Sequence, residues 1–211
     1  MKVILVNGSP HEKGSTYTAL NVMVEIFQEE GIDAEIFWIG NKALNGCIAC
    51  KKCAELGECV FKDKVNEFTA KAKEADGFIF GAPVHYASMP GAMTAFMDRA
   101  FYSDLVGNGN QSYFLKPAAA ITIARRAGNV STYDQMNKYF GLHQMPIISS
   151  TYWNFVYGTN PETTMQDVEG LRTVRTLVRN MAYFIKCQKA AKEAGIELPK
   201  QEEAVFMNFI R

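Results

Sequence analysis

The 211 residues carry 22 Lys+Arg against 22 Asp+Glu and are 48% hydrophobic, enough for one substantial core and too few for two full domains. Balanced charge with no long run of one sign excludes the basic footprint of a nucleic-acid binder. No apolar run reaches membrane-spanning length, so the expected ligand is small and neither a nucleic acid nor a membrane is an expected partner.

Met1-Lys2 leads into only a few apolar residues before Asn7-Gly8, too short for a signal-peptide core. The expected compartment is therefore the cytoplasm, where thiols stay reduced and clustered cysteines bind metal or do redox work. Four of the five cysteines are clustered.

Val3 to Val6 is a short, wholly apolar run, the pattern of a parallel strand covered on both faces. Leu20, Met23, Val24 and Phe27 recur at i, i+3, i+4 and i+7, the buried stripe of a helix ending near Gly31. The same unit repeats. A second strand is expected over residues 34–39, a helix over 65–75, a third strand over 77–80 and a helix over 89–101 behind Pro90. A fourth strand follows over 118–124, a helix over 133–140, a fifth strand over 146–151 and a long terminal helix over 164–194.

Strands and helices that alternate in this way predict an α/β fold with right-handed crossovers. The expected sheet is doubly wound, five-stranded and parallel, of flavodoxin-like order 2-1-3-4-5, with its ligand at the switch point beyond the strands' carboxyl ends. A single domain is expected over residues 1–211, with one long insertion at 41–64. The apolar tail at 199–211 is expected to dock on its own subunit or a neighbour.

Ser9 to Thr16, SPHEKGST, turns the first strand into the first helix. The helix's leading amides have no intrahelical partners. Gly14 permits close backbone approach, Ser15 and Thr16 stand beside those amides, and Ser9 and His11 supply groups on the opposite lip; the set suits a phosphate. Lys13 precedes Gly14, so the loop is no P-loop, and it lacks G-x-G-x-x-G. A monophosphate that does not react, as on FMN, is what remains; an ordinary capped turn is the alternative.

Residues 81–91, GAPVHYASMPG, follow the third strand and share the switch point with the first loop. Pro83 and Pro90 stiffen the segment, Val84, His85 and Tyr86 offer side-chain surface, and Ala87 and Ser88 offer unobstructed amides. A flavin ring needs such a wall. Arg125, after the fourth strand, is placed to meet a phosphate or NADPH, or else to form a solvated turn.

These two loops resemble the flavodoxin-fold NAD(P)H-dependent FMN reductases, whose patterns read G-S-P-R-x-x-G-N/S-T and S-P-V-Y-x-x-S-x-x-G. Gly8-Ser9-Pro10, Gly14-Ser15-Thr16, Pro83-Val84, Ser88 and Gly91 match, while His11 and Ala82 stand where arginine and serine are common. The resemblance implies an FMN-dependent oxidoreductase whose cofactor carries the chemistry, with no catalytic side chain required. NAD(P)H is a possible co-substrate.

The insertion contains Cys47, Cys50, Cys53 and Cys59, spaced C-x2-C-x2-C-x5-C. Two-residue spacers turn successive thiolates onto one core, and the looser last spacer lets the fourth close it, which fits one 4Fe-4S cubane. Zinc sites more often separate two cysteine pairs by a long spacer; thiols that hold no metal are the other alternative. The spacing also resembles the iron-sulfur flavoprotein branch of the FMN reductases. That branch implies electron transfer among FMN, a 4Fe-4S cluster and a carrier such as a ferredoxin, within a homodimer or homotetramer. An FMN or quinone reductase without a cluster, and a non-catalytic flavin or thiol redox sensor, are the competing readings.

Overall fold

The computed structural model describes residues 1–203, 205 and 207. Five strands, β1 (Lys2–Asn7), β2 (Asp33–Trp38), β3 (Gly77–Pro83), β4 (Ala118–Ala124) and β5 (Phe155–Tyr157), form one parallel sheet of order β2-β1-β3-β4-β5. The helices are α1 (Ser15–Glu29), α2 (Cys53–Leu56), α3 (Lys64–Ala72), α4 (Gly91–Asn108), α5 (Asn129–Leu142), α6 (Pro161–Gln166) and α7 (Val168–Glu193). Among the described residues no helix is long and apolar enough to cross a membrane.

Side chains alternate across a strand, and β1 shows the consequence. Val3 and Leu5 join Leu20, Phe27, Val174 and Met181 under α1 and α7, whereas Ile4 and Val6 join Phe68, Phe96 and Phe140 under α3, α4 and α5. Phe68 is fully buried and meets the rings of Phe37, Phe78, Phe80 and Phe96; burial of each such side chain contributes about 1.5–3 kcal/mol. The terminal-helix stripe Leu171, Val174, Val178, Met181 and Ile185 belongs to this core.

Several element ends shift by a few residues, α4 running on to Asn108 and β3 to Pro83, and two elements depart further from expectation. The fifth strand was expected over 146–151, but there only Ile147 bridges to Ala118 before the chain swings out through Ser149–Trp153. The Asn154 amide donates its Nδ2–H to the carbonyl of Ala120 at 3.0 Å, replacing the missing ladder bond, and pairing resumes at Phe155. The terminal helix breaks at Asp167, whose carboxylate accepts from Gly170 N at 3.0 Å to start α7 and from Tyr157 N at 2.7 Å to tie the break to β5. The expected docking tail lies partly outside the described residues, and Val205 and Met207 are exposed.

Chain order sets the switch point. From β1 the chain crosses to β2 on one side, then returns to β3 on the other, so the loops after β1 and β3 leave neighbouring strands. Gly8 N donates to Gly81 O at 2.8 Å, Val84 N to Ile123 O at 2.8 Å and Gly158 N to Ala124 O at 3.1 Å. The sheet ladder thereby continues into the loops and fixes their relative height.

Candidate functional site

The loop between β1 and α1 is held from below. Asn7 is fully buried; its Oδ1 accepts from Ser9 N at 3.0 Å and its Nδ2 donates to Glu12 O at 3.0 Å. Ser9 Oγ accepts from His11 N at 3.1 Å, and Trp38 Nε1 donates to Ser9 O at 2.8 Å. Gly14, not Ser15 or Thr16, is the N-cap of α1, and no side chain caps its leading amides. A Cβ on Gly14 would stand 3.2 Å from His11 Cβ, so glycine keeps the cradle open. Uncapped amides at the positive end of a fifteen-residue helix suit a dianionic phosphate.

One cleft of about 680 Å³ runs from this loop across the sheet rim, within the range of cofactor sites. It is lined by Ser9, His11, Gly14, Ser15 and Thr16 from the first loop, Pro83, Val84 and His85 from the second, and Arg125 from the third. Lys13 and Arg125 set positive charge against the single carboxylate of Glu12. The lining also includes Trp38, Asn41, Ile123 and residues 158–161, which sequence reading missed. They lie at or just beyond the carboxyl ends of β2, β4 and β5, so the strand order itself was the signal for them.

Tyr86, Ala87 and Ser88 are absent from that lining. His85 and Ser88 exchange backbone hydrogen bonds at 2.8 and 3.0 Å, closing a two-residue hairpin whose central Tyr86 and Ala87 both have positive φ, 50° and 57°. This is the geometry of a primed turn, which glycine or asparagine normally occupies. Tyr86 consequently projects fully into solvent at the tip. Ser88 Oγ donates to Gln135 Oε1 at 2.9 Å and Ala87 O accepts from Ser131 Oγ at 2.5 Å, so the hairpin is anchored on α5.

The four clustered cysteines rim a second, apolar pocket with Ile48, Val60, Phe61, Arg99, Tyr102 and Ser103. Cys47 and Cys50 are exposed, Cys59 half-buried and Cys53 buried. Burial pushes the Cys53 thiol up despite a lowering contact with its own backbone, and Cys50, Cys47 and Cys59 add to the rise. Ala49 and Lys51 have positive φ, 52° and 59°, and Lys52 follows with right-handed φ and ψ of −62° and −19°. Such alternation turns successive amides toward one concavity, an arrangement that receives anions and iron-sulfur cores.

Among the described residues no three Cys, His, Asp or Glu side chains converge as a single-ion site requires. A cubane is ligated at four separate corners, so four thiols around one pocket fit it better than they fit zinc. The guanidinium of Arg99 fits an anionic occupant too. It is 1% exposed and donates from Nε to Cys59 Sγ at 3.2 Å. Burial works against its charge, but the bonds to Asp63 and Cys59 overcome this and raise its pKa above the ordinary value.

Residues 1–160 match the family described as NADPH-dependent FMN reductase. The chain is 32% identical over 194 residues to an iron-sulfur flavoprotein of Methanocaldococcus jannaschii, covering 90% of this chain and 100% of that protein. It is 25% identical over 183 residues to an iron-sulfur flavoprotein of Methanosarcina thermophila, covering 86% and 93%. The crystal structure of RosB with a bound riboflavin-phosphate intermediate superposes with a TM-score of 0.69 at 14% identity, covering 100% of this chain and 92% of that one; that likeness is one of fold. The chain thus belongs to the flavodoxin-fold NADPH-dependent FMN reductase family, in its iron-sulfur flavoprotein branch, and is a flavin-dependent oxidoreductase.

Proposed function

We propose that this oxidoreductase passes electrons from a reduced carrier or NAD(P)H through FMN, with a 4Fe-4S cluster on Cys47, Cys50, Cys53 and Cys59. The observation that carries the reading is that α4 begins where the second cleft loop ends and, through Arg99, Tyr102 and Ser103, lines the cysteine pocket. One rigid helix thereby joins the two sites. Bound FMN supplies hydride acceptance and one-electron release, and the cluster one-electron storage.

The chain's own groups bind and orient. The open amides of Ser15 and Thr16, with Ser9 and His11, hold the phosphate; Pro83, Val84 and His85 wall the ring; Arg125 adds positive charge at the cleft's far lip. The chemistry is the cofactor's, so none of these side chains is assigned an acid–base role.

Anaerobic purification followed by absorption and EPR spectra, with iron and acid-labile sulfide analysis, tests the reading. One FMN with four irons and four sulfides per chain is expected. FMN without iron and sulfide would leave the family assignment intact and remove the cluster.

A further inference from the structure

We infer that Arg99 is the positioning residue of the cysteine site: it clamps both stems of the cysteine loop and places a fixed positive charge on the sulfur of Cys59, raising the cluster's reduction potential. The inference rests on the cluster reading above.

A guanidinium has five N–H donors, and here every one is used. Nε donates to Cys59 Sγ at 3.2 Å; one terminal nitrogen donates to Asn45 O at 3.2 Å and Asp63 Oδ2 at 2.8 Å; the other donates to Phe61 O at 3.2 Å and Asp63 Oδ1 at 2.9 Å. The acceptors lie before the first of the four cysteines, at 45, and at and beyond the last, at 59, 61 and 63. The face of the guanidinium lies 5.0 Å from the centre of the Phe61 ring. A side chain locked at every donor has no rotamer freedom left, so its charge is fixed in place.

This charge is placed to act on electron uptake. Reduction adds one negative charge to a cluster and neither breaks nor forms a bond, and hydrogen bonds to its sulfurs and the local net charge set its potential. A donor aimed at Cys59 Sγ strengthens as the sulfur becomes more negative, favouring the reduced state. Asp63 opposes it, because its carboxylate neutralises the same guanidinium from the far side. The two residues therefore have opposite signs of effect.

That opposition separates tuning from mere loss of structure. Potentials are read by EPR-monitored redox titration of the full, cluster-loaded protein and of Arg99→Gln, Arg99→Lys and Asp63→Asn. Asparagine preserves the cap that Asp63 provides to Val65 N. Arg99→Gln is expected to make reduction at least tenfold less favourable, 59 mV for one electron, and Arg99→Lys to restore part of that shift. Asp63→Asn is expected to move the potential upward. If Arg99→Gln assembles no cluster, Arg99→Lys and Asp63→Asn still report the two signs. Unchanged potentials, or shifts of one sign in the Arg99 and Asp63 variants, would overturn the inference. A wild-type protein without iron and sulfide would instead remove the cluster reading and the inference with it.

Discussion

Asn7 contributes nothing to the cleft surface, yet both ends of the first loop hang on its side chain. Asn7→Ala removes two hydrogen bonds, each contributing about 1 kcal/mol. If the ligand must then order the loop itself, the cost of about 2 kcal/mol weakens FMN binding roughly 30-fold. Asn7→Asp is the sharper probe. It keeps the acceptor for Ser9 N, loses the donor to Glu12 O, and sets a carboxylate beneath the first loop. Riboflavin presents the same ring without the phosphate, so the added charge should weaken FMN more than riboflavin. Flavin fluorescence titration of the flavin-free protein measures both. Equal weakening of the two ligands by Asn7→Asp, or unchanged FMN affinity in Asn7→Ala, would refute phosphate capture by this loop.

Gly128→Ala meets a φ of 94° and would place Cβ 2.6 Å from Val84 Cγ1 and 2.8 Å from Ala87 Cα; displacement of the second loop should weaken FMN and riboflavin alike in the same titration. Gly107→Ala would place Cβ 2.4 Å from Cys53 O and 2.9 Å from Gly57 Cα. Overpacking of about 1–3 kcal/mol, offset by about 1 kcal/mol of helix propensity, leaves the fold intact but moves the cysteine loop, so iron per chain should fall while FMN content holds. Burial lowers the pKa of His143 to about 4, against a raising influence from Asp104. The unfolded chain therefore takes up this proton first as pH falls: stability is complete above about 6.5 and declines toward pH 4, by about 3 kcal/mol in all. Urea unfolding of the wild type against His143→Gln should show a difference that shrinks over that interval; a difference that does not change with pH would count against a buried neutral imidazole.

Sheet order and both cleft loops were legible because they depend on local signals, namely apolar runs, a helical stripe and turn residues at the strand ends. The fifth strand was not. The apolar run Pro146-Ile147-Ile148 has a strand's composition, but the ladder is completed by the Asn154 side chain on Ala120 O, a bond across 34 residues that no local pattern reports. The break at Asp167 is hidden for the same reason, since Tyr157 N and Gly170 N decide it together. Tyr86 was assigned to the ring wall on residue type; its left-handed backbone turns it into solvent instead. Arg99 passed unremarked as the end of a helical run. The signal available was the pair Asp98-Arg99 set between Phe96-Met97 and Ala100-Phe101, since an arginine is rarely fully buried unless paired.

The same helix explains why the cysteine loop belongs to this fold and is not an appendage to it. A surface helix shows one apolar stripe, but α4 is buried on several faces: Met93, Phe96, Met97 and Ala100 toward the sheet, Arg99 and Ser103 on the side of the cysteines. Gly107, one turn beyond Ser103, leaves room only for the backbone of Cys53 and Gly57, and Asn108 Nδ2 donates to Gly57 O at 2.9 Å. Residues 99, 103 and 107 recur every four positions and so form one ridge, matched in turn by a guanidinium, a small hydroxyl and no side chain at all. A helix facing water would gain nothing from that graded ridge, and its glycine would cost helix stability. The ridge seats the loop at one height and angle on α4, which is what the four-thiol site proposed above would require of it.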